Sequence, residues 1–335
     1  MSHITITDLA KRLNLSPSTV SRALRDHPDI SSTTKKRVQE MAENCHYQPN
    51  LIAQSLQNRR SNNIGVIVPE IRSTFFSTVI SGIEEVTYEA GYTIMVCQSN
   101  DSYSREIINM QALAANRVAG ILLSISQETT DYTHLKTVMN QGIPLVLFDR
   151  TVEGLDVSQV MVDDFKGAYK AVTHLIKQGR KKIAHLAGTP TLDVSRKRQE
   201  GYKAALKDHG LPVVEEYIIS GGFNEKDGLK GAKILWSLDN RPDALFAIND
   251  PVALGAHMYF QDNHIAIPAE VALVGFSNNP NTLLVRPRLT TVNQPAFTIG
   301  QSAAKMMLAQ LNPKNESKNR QTVVLKTRLI VRDSS

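Results

Sequence analysis

The chain has 335 residues, of which 41% are hydrophobic and 21% are charged. These fractions are close to the averages of globular proteins, so the composition indicates a soluble, multidomain protein. No apolar run approaches the roughly 20 residues that span a bilayer, and the N-terminus lacks the pattern of a secretory signal. We therefore expect no membrane association and a cytoplasmic location.

Positive charge is concentrated at the N-terminal end. Residues 1–60 hold nine Lys or Arg and five Asp or Glu, a net charge of +4, and the other residues share the remaining +2 of the total of +6. A basic end suggests a polyanionic partner. Charge alone does not separate DNA from RNA or a membrane surface.

Three short helices are predicted in this basic segment. Thr5 can cap a first helix over 6–13, whose apolar residues share one face. Ser16 is a good N-cap and Pro17 a good first residue for a second helix that ends near Leu24.

The third helix starts near Ser31 or Ser32. It carries Lys35, Lys36 and Arg37 in its first half. Basic residues near a helix N-terminus oppose the helix dipole, so a phosphate partner would explain their position.

A helix, a short turn and a second helix with small polar residues and Arg22 exposed form the arrangement that reads a DNA major groove. Polar side chains hydrogen-bond base edges, and an Arg can contact guanine through two hydrogen bonds. A three-helix bundle with a solvated polar face would show the same pattern. The residues alone leave both interpretations open.

Four stretches match a known signature in order and spacing. They are residues 6–10 (ITDLA), 15–24 (LSPSTVSRAL), 47–50 (YQPN) and 53–56 (AQSL). On these stretches the chain resembles the lac repressor and galactose repressor family of transcription regulators. The resemblance implies a helix-turn-helix DNA-binding domain at 1–48, a hinge helix and linker at 49–61, and an effector-binding and dimerisation domain at 62–335.

The resemblance also implies individual DNA contacts. By it, Pro17, Ser18 and Arg22 face base edges. Pro17 has no polar group, so its position offers only shape or contact with a thymine methyl group. The residues implied to hold phosphates are Thr5, Ser16, Thr19 and Ser21.

The hinge segment at 50–57 is too short to hold a helix alone in water. Asn50 can cap it, and Ala53 and Leu56 share one face. In the family this segment folds when two copies meet over the minor groove, and a Leu at the position of Leu56 wedges between base pairs. An ordinary linker with one exposed leucine is the alternative. We favour the wedge, because an exposed Leu before a basic linker otherwise has little to do.

From Ile64 onward, short β-rich runs alternate with segments of helix length. The runs are residues 64–68, 92–96, 120–123, 145–148, 182–186, 244–248 and 272–276. This alternation predicts an α/β fold with two similar halves, each with a mostly parallel sheet. The resemblance covers this region too, and implies two Rossmann-like α/β subdomains of the periplasmic-binding-protein type around a cleft.

Sheets of this kind bind ligands beyond the carboxyl ends of their strands. Aromatic rings, amides, carboxylates and an Arg follow those ends here, and such groups suit a sugar or a purine. By the resemblance, the effector-binding residues are Phe75, Asp149, Arg198, Asn249 and Gln294. Arg198 is the strongest candidate, because a guanidinium can clamp paired hydroxyls or a carboxylate.

These residues also have structural alternatives. Asp149 could cap a following turn, and Asn249 or Asp250 could cap the helix after Pro251. Arg198 could pair with Glu200 or Asp193 on the surface.

Ser277 is included in the candidate pocket as a departure from the family, since many members carry an acidic residue there. A single hydroxyl in place of a carboxylate weakens the transfer of any particular sugar. Leu192 and Val194 stand where purine-binding relatives use polar residues, which disfavours a nucleobase.

An enzyme is the main rival class. The sequence shows no G-x-x-x-x-G-K-[ST] loop, no G-x-G-x-x-G after the first strand, no G-x-S-x-G and no H-E-x-x-H, and its nine histidines show no ligand spacing. Cys45 and Cys97 lie in apolar segments, where we expect buried small hydrophobes. We expect no catalysis, no metal and no cofactor. A third class, an exported sugar carrier, is disfavoured by the basic N-terminal end.

The sequence thus predicts a sequence-specific DNA-binding transcription regulator, a repressor by the family's default. Its expected partners are double-stranded DNA with a palindromic operator, a second copy in a homodimer, and a small-molecule effector that is a sugar or sugar derivative. The sequence names neither the effector nor the operator.

Overall fold

The computed structural model describes residues 4–24, 26–45, 47, 61–312 and 320–335. The chain divides into two compact units, Met1–Ser61 and Asn62–Ser335. The predicted hinge helix, with Asn50, Ala53 and Leu56, lies outside the described residues. Within the described ranges, no helix is long and apolar enough to cross a membrane.

The first unit contains the three predicted helices, which confirms their positions. They are α1 (Ile6–Leu13), α2 (Pro17–Leu24) and α3 (Ser32–Asn44). Their apolar sides meet in a small core around Leu9, Val20 and Val38, which are fully buried.

Side-chain caps begin each of these helices. The hydroxyl oxygens of Thr5 and Ser16 accept hydrogen bonds from backbone amides three residues later, at 3.3 and 3.0 Å. Ser31 caps α3 in the same way at 3.3 Å. The caps satisfy backbone donors that the helices leave free, which explains why the boundaries could be read from the sequence.

The second unit forms two α/β subdomains, and most of the first subdomain comes first in the chain. Its elements are β1 (Asn63–Val68), α4 (Thr74–Glu89), β2 (Thr93–Gln98), α5 (Tyr103–Ala115), β3 (Gly120–Leu123), α6 (Thr133–Asn140), β4 (Leu145–Phe148) and β5 (Ser158–Val162). Two later elements, α11 (Ala296–Leu311) and β11 (Thr322–Leu325), return to it.

The second subdomain holds most of the remaining elements. They are α7 (Asp164–Lys177), β6 (Ile183–Ala187), α8 (Asp193–Asp208), β7 (Ile218–Ser220), α9 (Glu225–Trp236), β8 (Ala244–Ala247), α10 (Asp250–Asp262), β9 (Ala272–Ser277), β10 (Thr290–Asn293) and β12 (Arg328–Ile330). Two 3₁₀ turns, Glu215–Tyr217 and Pro280–Leu283, connect them.

Each subdomain is built on one six-stranded sheet. The strand orders are β11-β5-β4-β3-β1-β2 and β12-β10-β9-β8-β6-β7. All described pairings are parallel except the antiparallel pairing of β10 with β12. This arrangement confirms the predicted α/β fold with two mostly parallel sheets. The sequence did not reveal five of the strands (β5, β7, β10, β11 and β12), most of which are short and have partly exposed residues.

The chain crosses between the subdomains three times, after β5, after β10 and after β11. The first and third crossings are joined, because the amide of Asp163 donates to the carbonyl oxygen of Leu325 at 3.0 Å. Three connecting segments leave a cleft between the subdomains that a hinge motion can open or close.

Glycine ends three helices as expected. Gly91, Gly179 and Gly210 have φ angles of 78°, 90° and 69°, a conformation that side chains disfavour. The expectation for the two cysteines was wrong, since Cys45 and Cys97 are free but only half-buried.

Candidate functional site

The six effector-binding candidates line one cavity in the cleft between the subdomains. They are Phe75, Asp149, Arg198, Asn249, Ser277 and Gln294. The cavity has a volume of about 60 Å³ and adjoins a larger one of about 300 Å³. The two cavities share the side chains of Phe75, Ser277, Asn279 and Gln294.

Seven further residues complete the wall of the smaller cavity. They are Ser73, Phe76, Arg150, Val194, Phe223, Pro251 and Asn279. Phe76, Arg150 and Asn279 lie within one or two residues of predicted pocket residues, so their strand-end position was a usable signal. Phe223 lies in the loop between β7 and α9, and no motif marked it.

Arg198 is held inside the protein, with only 3% of its surface exposed. Its Nε atom donates to Oδ1 of Asp164 at 2.8 Å, and its Nη1 atom donates to the carbonyl oxygen of Ile248 at 2.5 Å. The alternative of a surface pair with Glu200 or Asp193 is therefore wrong for this residue. Arg196 takes Asp193 as its partner.

Asp149 follows β4 in the left-handed backbone conformation, at φ 59°. Its Oδ1 atom accepts a hydrogen bond from Nε2 of Gln294 at 3.3 Å. Burial raises the pKa of this carboxyl group, and the nearby charges of Arg198 and Arg150 oppose the rise. A buried carboxyl group beside a cavity is suited to accept hydroxyl hydrogen bonds.

Arg150 connects the two sides of the cleft. Its guanidinium carbon lies 4.7 Å from the ring centroid of Phe223 in the second subdomain and 5.8 Å from that of Phe76 in the first. Its Nη1 atom also contacts the carboxylate of Asp101. The two rings and the guanidinium form one wall of the cavity, and cation–π contacts stabilise it.

Asn249 has the capping role that was its alternative. It is the N-cap of α10, with its Oδ1 atom accepting from the amide of Val252 at 2.9 Å. Its Nδ2 atom donates to the carbonyl oxygen of Phe223 at 2.8 Å. Asn249 thus holds two parts of the cavity wall together.

Ser277 is turned partly toward the protein interior. Its backbone has a φ of 125°, and its hydroxyl group donates to Oδ2 of Asp250 at 3.2 Å. Asp250 is fully buried and also accepts hydrogen bonds from the Thr291 hydroxyl and the Asn279 amide, both at 2.6 Å. Burial raises the pKa of Asp250 and these hydrogen bonds lower it. Burial dominates, and the resulting pKa is about 6. Sequence analysis missed Asp250 as the anchor of this wall.

Leu192 and Val194 contribute no polar group to the cleft. They belong to the second subdomain, yet they pack into the hydrophobic core of the first with exposures of 1% and 5%. This packing agrees with the sequence observation that apolar residues stand at these positions, where purine-binding relatives use polar ones.

The DNA-contact candidates in the first unit are mostly accessible. Thr5, Ser16, Pro17, Ser18 and Arg22 are exposed, and Thr19 and Ser21 are half-buried. Most of them lie at the start of α2 or on its outer side, opposite the buried Val20 and Ala23. Asn50, Ala53 and Leu56 lie outside the described residues.

Comparison with known proteins gives two family matches. Residues 61–330 match the family described as periplasmic binding proteins and sugar binding domain of LacI family. Residues 5–50 match bacterial regulatory proteins of the lacI family.

Two relatives match over nearly the whole chain. Catabolite control protein A of Priestia megaterium is 30% identical over 92% of this chain and 93% of its own length. The probable HTH-type transcriptional repressor ExuR of Bacillus subtilis (strain 168) is 31% identical over 99% of this chain and 98% of its own length.

Solved structures agree with this relationship. The transcriptional regulator CelR in its cellobiose complex is 25% identical, with a TM-score of 0.77, covering 99% of this chain and 100% of that one. The lac repressor dimer bound to operator and an anti-inducer has the same fold, with a TM-score of 0.87 at 22% identity over 99% of both chains. The chain therefore belongs to the LacI family of bacterial regulatory proteins: it is a DNA-binding transcription regulator, not an enzyme, with a sugar-binding type of effector domain.

Proposed function

We propose that the protein is a cytoplasmic repressor that binds a palindromic operator as a homodimer and is controlled by a small-molecule effector in the cleft. The observation that carries this proposal is the convergence of all six predicted effector residues on one cavity. The residues come from both subdomains, so a ligand between them would favour one angle of the cleft over others.

The wall of the cavity favours a sugar or sugar derivative as effector. The rings of Phe75, Phe76 and Phe223 offer faces for a sugar ring, and Asp149 and Arg198 offer buried polar groups. The CelR structure has cellobiose bound, and this chain shares its fold over nearly the whole length. Val194 supplies an apolar surface where a nucleobase would need polar partners, which supports a sugar over a purine.

The first unit is proposed to read DNA through α2. Pro17, Ser18 and Arg22 would face base edges. Phosphate contacts are assigned to Thr5, Ser16, Thr19 and Ser21. Exposure of the outer side of α2 supports these roles.

We assign the DNA-binding domain to 1–48, the hinge helix and linker to 49–61, and the effector domain to 62–335. The boundary between the two compact units, at Ser61 and Asn62, supports the last of these limits. In the hinge, Asn50 would cap the helix. Asn50, Ala53 and Leu56 are assigned as DNA contacts, with Leu56 as the wedge in the minor groove.

Thermal unfolding of the full chain tests the effector proposal. The probes are cellobiose, D-ribose, D-glucuronate, D-glucose 6-phosphate and hypoxanthine. A ligand at about 100 times its Kd adds roughly 2.7 kcal/mol to the free energy of unfolding, which raises Tm by a few degrees. The Arg198→Gln variant should lose this increase.

Arg196→Gln is the matched control, because Arg196 lies on the same helix and is not part of the cavity wall. It should keep the increase in Tm. An equal increase in both variants would contradict the proposed pocket. A response to hypoxanthine alone would replace the sugar with a purine.

A further inference from the structure

Asp164 fixes the orientation of Arg198 from a neighbouring helix. Both the Nε and the Nη2 atoms of Arg198 lie within 2.8 Å of Oδ1 of Asp164, at 2.8 and 2.7 Å. Nη1 donates to the carbonyl oxygen of Ile248. One face of the guanidinium is covered by the ring of Phe276, whose centroid lies 3.7 Å from the guanidinium carbon.

These contacts define what Arg198 can offer to a ligand. A guanidinium has five N–H donors in one plane, and the partners described above use at most three of them. At least two donors therefore remain, in a plane set by Asp164, Ile248 and Phe276. A hydrogen-bond donor held in one plane contributes to affinity and specificity because little freedom is lost on binding.

Glycines allow the two helices to bring this pair together. A Cβ atom at Gly201 of α8 would lie 2.3 Å from the carbonyl oxygen of Phe165 of α7. A Cβ atom at Gly167 of α7 would lie 2.7 Å from the ring of Phe276. The absence of a side chain at Gly201 therefore permits the close packing of α7 against α8, and its absence at Gly167 leaves room for the Phe276 ring that covers Arg198.

Asp164 also stands beside a crossing between the subdomains. It is the first residue of α7, and Asp163 before it is bonded to Leu325 of the third crossing at 3.0 Å. Any shift of Arg198 that a ligand causes would act on this point through the ion pair.

The energetics favour a positional role for the pair. Both side chains are buried, and buried ion pairs contribute little net stability because desolvation offsets their attraction. Burial raises the pKa of Asp164 and the charge of Arg198 lowers it. Burial dominates, and the resulting pKa is about 6. The main consequence of the pair is therefore the fixed position of the guanidinium.

We propose that Asp164 is the positioning residue for Arg198 and thereby sets the affinity of the pocket for its effector. This proposal rests on the proposed function, since it takes Arg198 as an effector contact. Asp164 does not line the cavity. It acts through the guanidinium that it holds.

The experiment compares the full-length Asp164→Asn and Asp193→Asn variants. Asp193 is a matched control, because it is the first residue of α8 and pairs with an Arg of that helix, Arg196. The first readout needs no effector: the ¹⁵N–¹H resonance of Arg198 Nε in selectively labelled protein. It should shift or disappear in Asp164→Asn and stay in place in Asp193→Asn.

The second readout is the Kd of the probe sugar that raises the wild-type Tm most, measured well below the Tm of each variant. We expect affinity to fall roughly ten- to a hundredfold in Asp164→Asn, because a hydrogen bond to a charged group is weakened. Asp193→Asn should bind within about twofold of wild type.

The outcomes separate the two proposals. An unchanged Nε resonance, or an unchanged Kd, in Asp164→Asn overturns the positioning role and leaves the proposed function standing. If no probe sugar binds the wild type, the sugar pocket fails, and the Nε resonance still decides whether Asp164 holds Arg198. The double variant Asp164→Asn with Arg198→Gln should recover the Tm that Asp164→Asn alone loses, because no unpaired buried charge remains. It should not recover affinity for the sugar. Recovery of both Tm and affinity would indicate a purely structural pair.

Discussion

Thr191 donates a hydrogen bond of 2.8 Å to the carbonyl oxygen of Gln127, and so joins the loop before α8 to the loop after β3 across the cleft. The amide of Gln127 in turn donates to Oδ1 of Asp101 at 3.0 Å. Beside this bond, Leu192 and Val194 are buried in the core of the first subdomain. The two subdomains are thus held together by their own side chains as well as by the three crossings.

The Thr191→Val variant should loosen this contact. The substitution keeps the shape and removes the hydroxyl donor, so we expect the free energy of unfolding to fall by about 0.5–1.5 kcal/mol. Fluorescence energy transfer between labels on the two subdomains should report a wider mean separation. Thr137→Val is the control, since the Thr137 hydroxyl bonds only within α6. Equal separations in both variants would exclude a closing role for Thr191.

The Arg22→Ala variant should lose sequence-specific DNA binding. Removing a bidentate contact to a base costs roughly 1–3 kcal/mol, while effector affinity should stay nearly unchanged because Arg22 belongs to the other compact unit. The measurement is fluorescence anisotropy with a DNA site selected from a random pool by the intact protein. Lys11→Ala removes the same charge from α1 and serves as the control. Equal binding of wild type to selected and scrambled DNA would refute this role for α2.

The Leu56→Ala variant tests the wedge in the hinge. Loss of the apolar side chain should remove a kink in the operator and weaken binding, because the base step would stay stacked. Gel-phasing measurements on bent DNA give the kink angle directly. A bend equal to that of the wild type would leave Leu56 as an ordinary linker residue.

The Gly201→Ala variant should destabilise the effector domain. The added Cβ atom would meet backbone 2.3 Å away at Phe165, and backbone cannot move aside as a flexible side chain can. Overpacking of this kind costs roughly 1–3 kcal/mol, measurable by urea unfolding. Gly221→Ala is the control, since the nearest atom to its new Cβ would be 3.6 Å away. Equal losses of stability would show that α7 and α8 separate easily.

Asp250 should make stability depend on pH. Its pKa is about 6 in the folded protein and 3.8 in the unfolded chain, so the folded state binds the proton more tightly. Its contribution to the free energy of unfolding should therefore fall, by roughly 1–3 kcal/mol, as pH rises from about 4 to about 6. Burial lowers the pKa of His185 to about 4, which acts in the opposite direction over the same range.

The comparison of wild type with Asp250→Asn isolates the Asp250 contribution. Between pH 4 and pH 6, the wild type should lose stability relative to the variant, because the variant has no carboxyl group to ionise. Urea unfolding at a series of pH values measures this difference. A difference that stays constant with pH would show that Asp250 keeps the same pKa in both states.

The sequence by itself determined the local features of this protein. Thr5, Ser16 and Pro17 mark helix starts because capping depends on residues within one turn of each other. The buried strands were readable as apolar runs. Strand ends marked Phe75, Asp149, Asn249 and Ser277 as candidates, because parallel strands end at the same edge of a sheet and the side chains that follow those ends meet. The family resemblance assigned the pocket roles and supplied Arg198 and Gln294.

Only the tertiary structure decided which polar groups became partners. Arg198 had charged neighbours in sequence, yet it pairs with Asp164, which lies 34 residues away, because close packing of α7 and α8 buries both. Phe223 reaches the cavity from a loop without a motif, and Asn249 turns out to be a cap that binds that loop. Such contacts depend on the packing of whole subdomains, and no local pattern of residues encodes them.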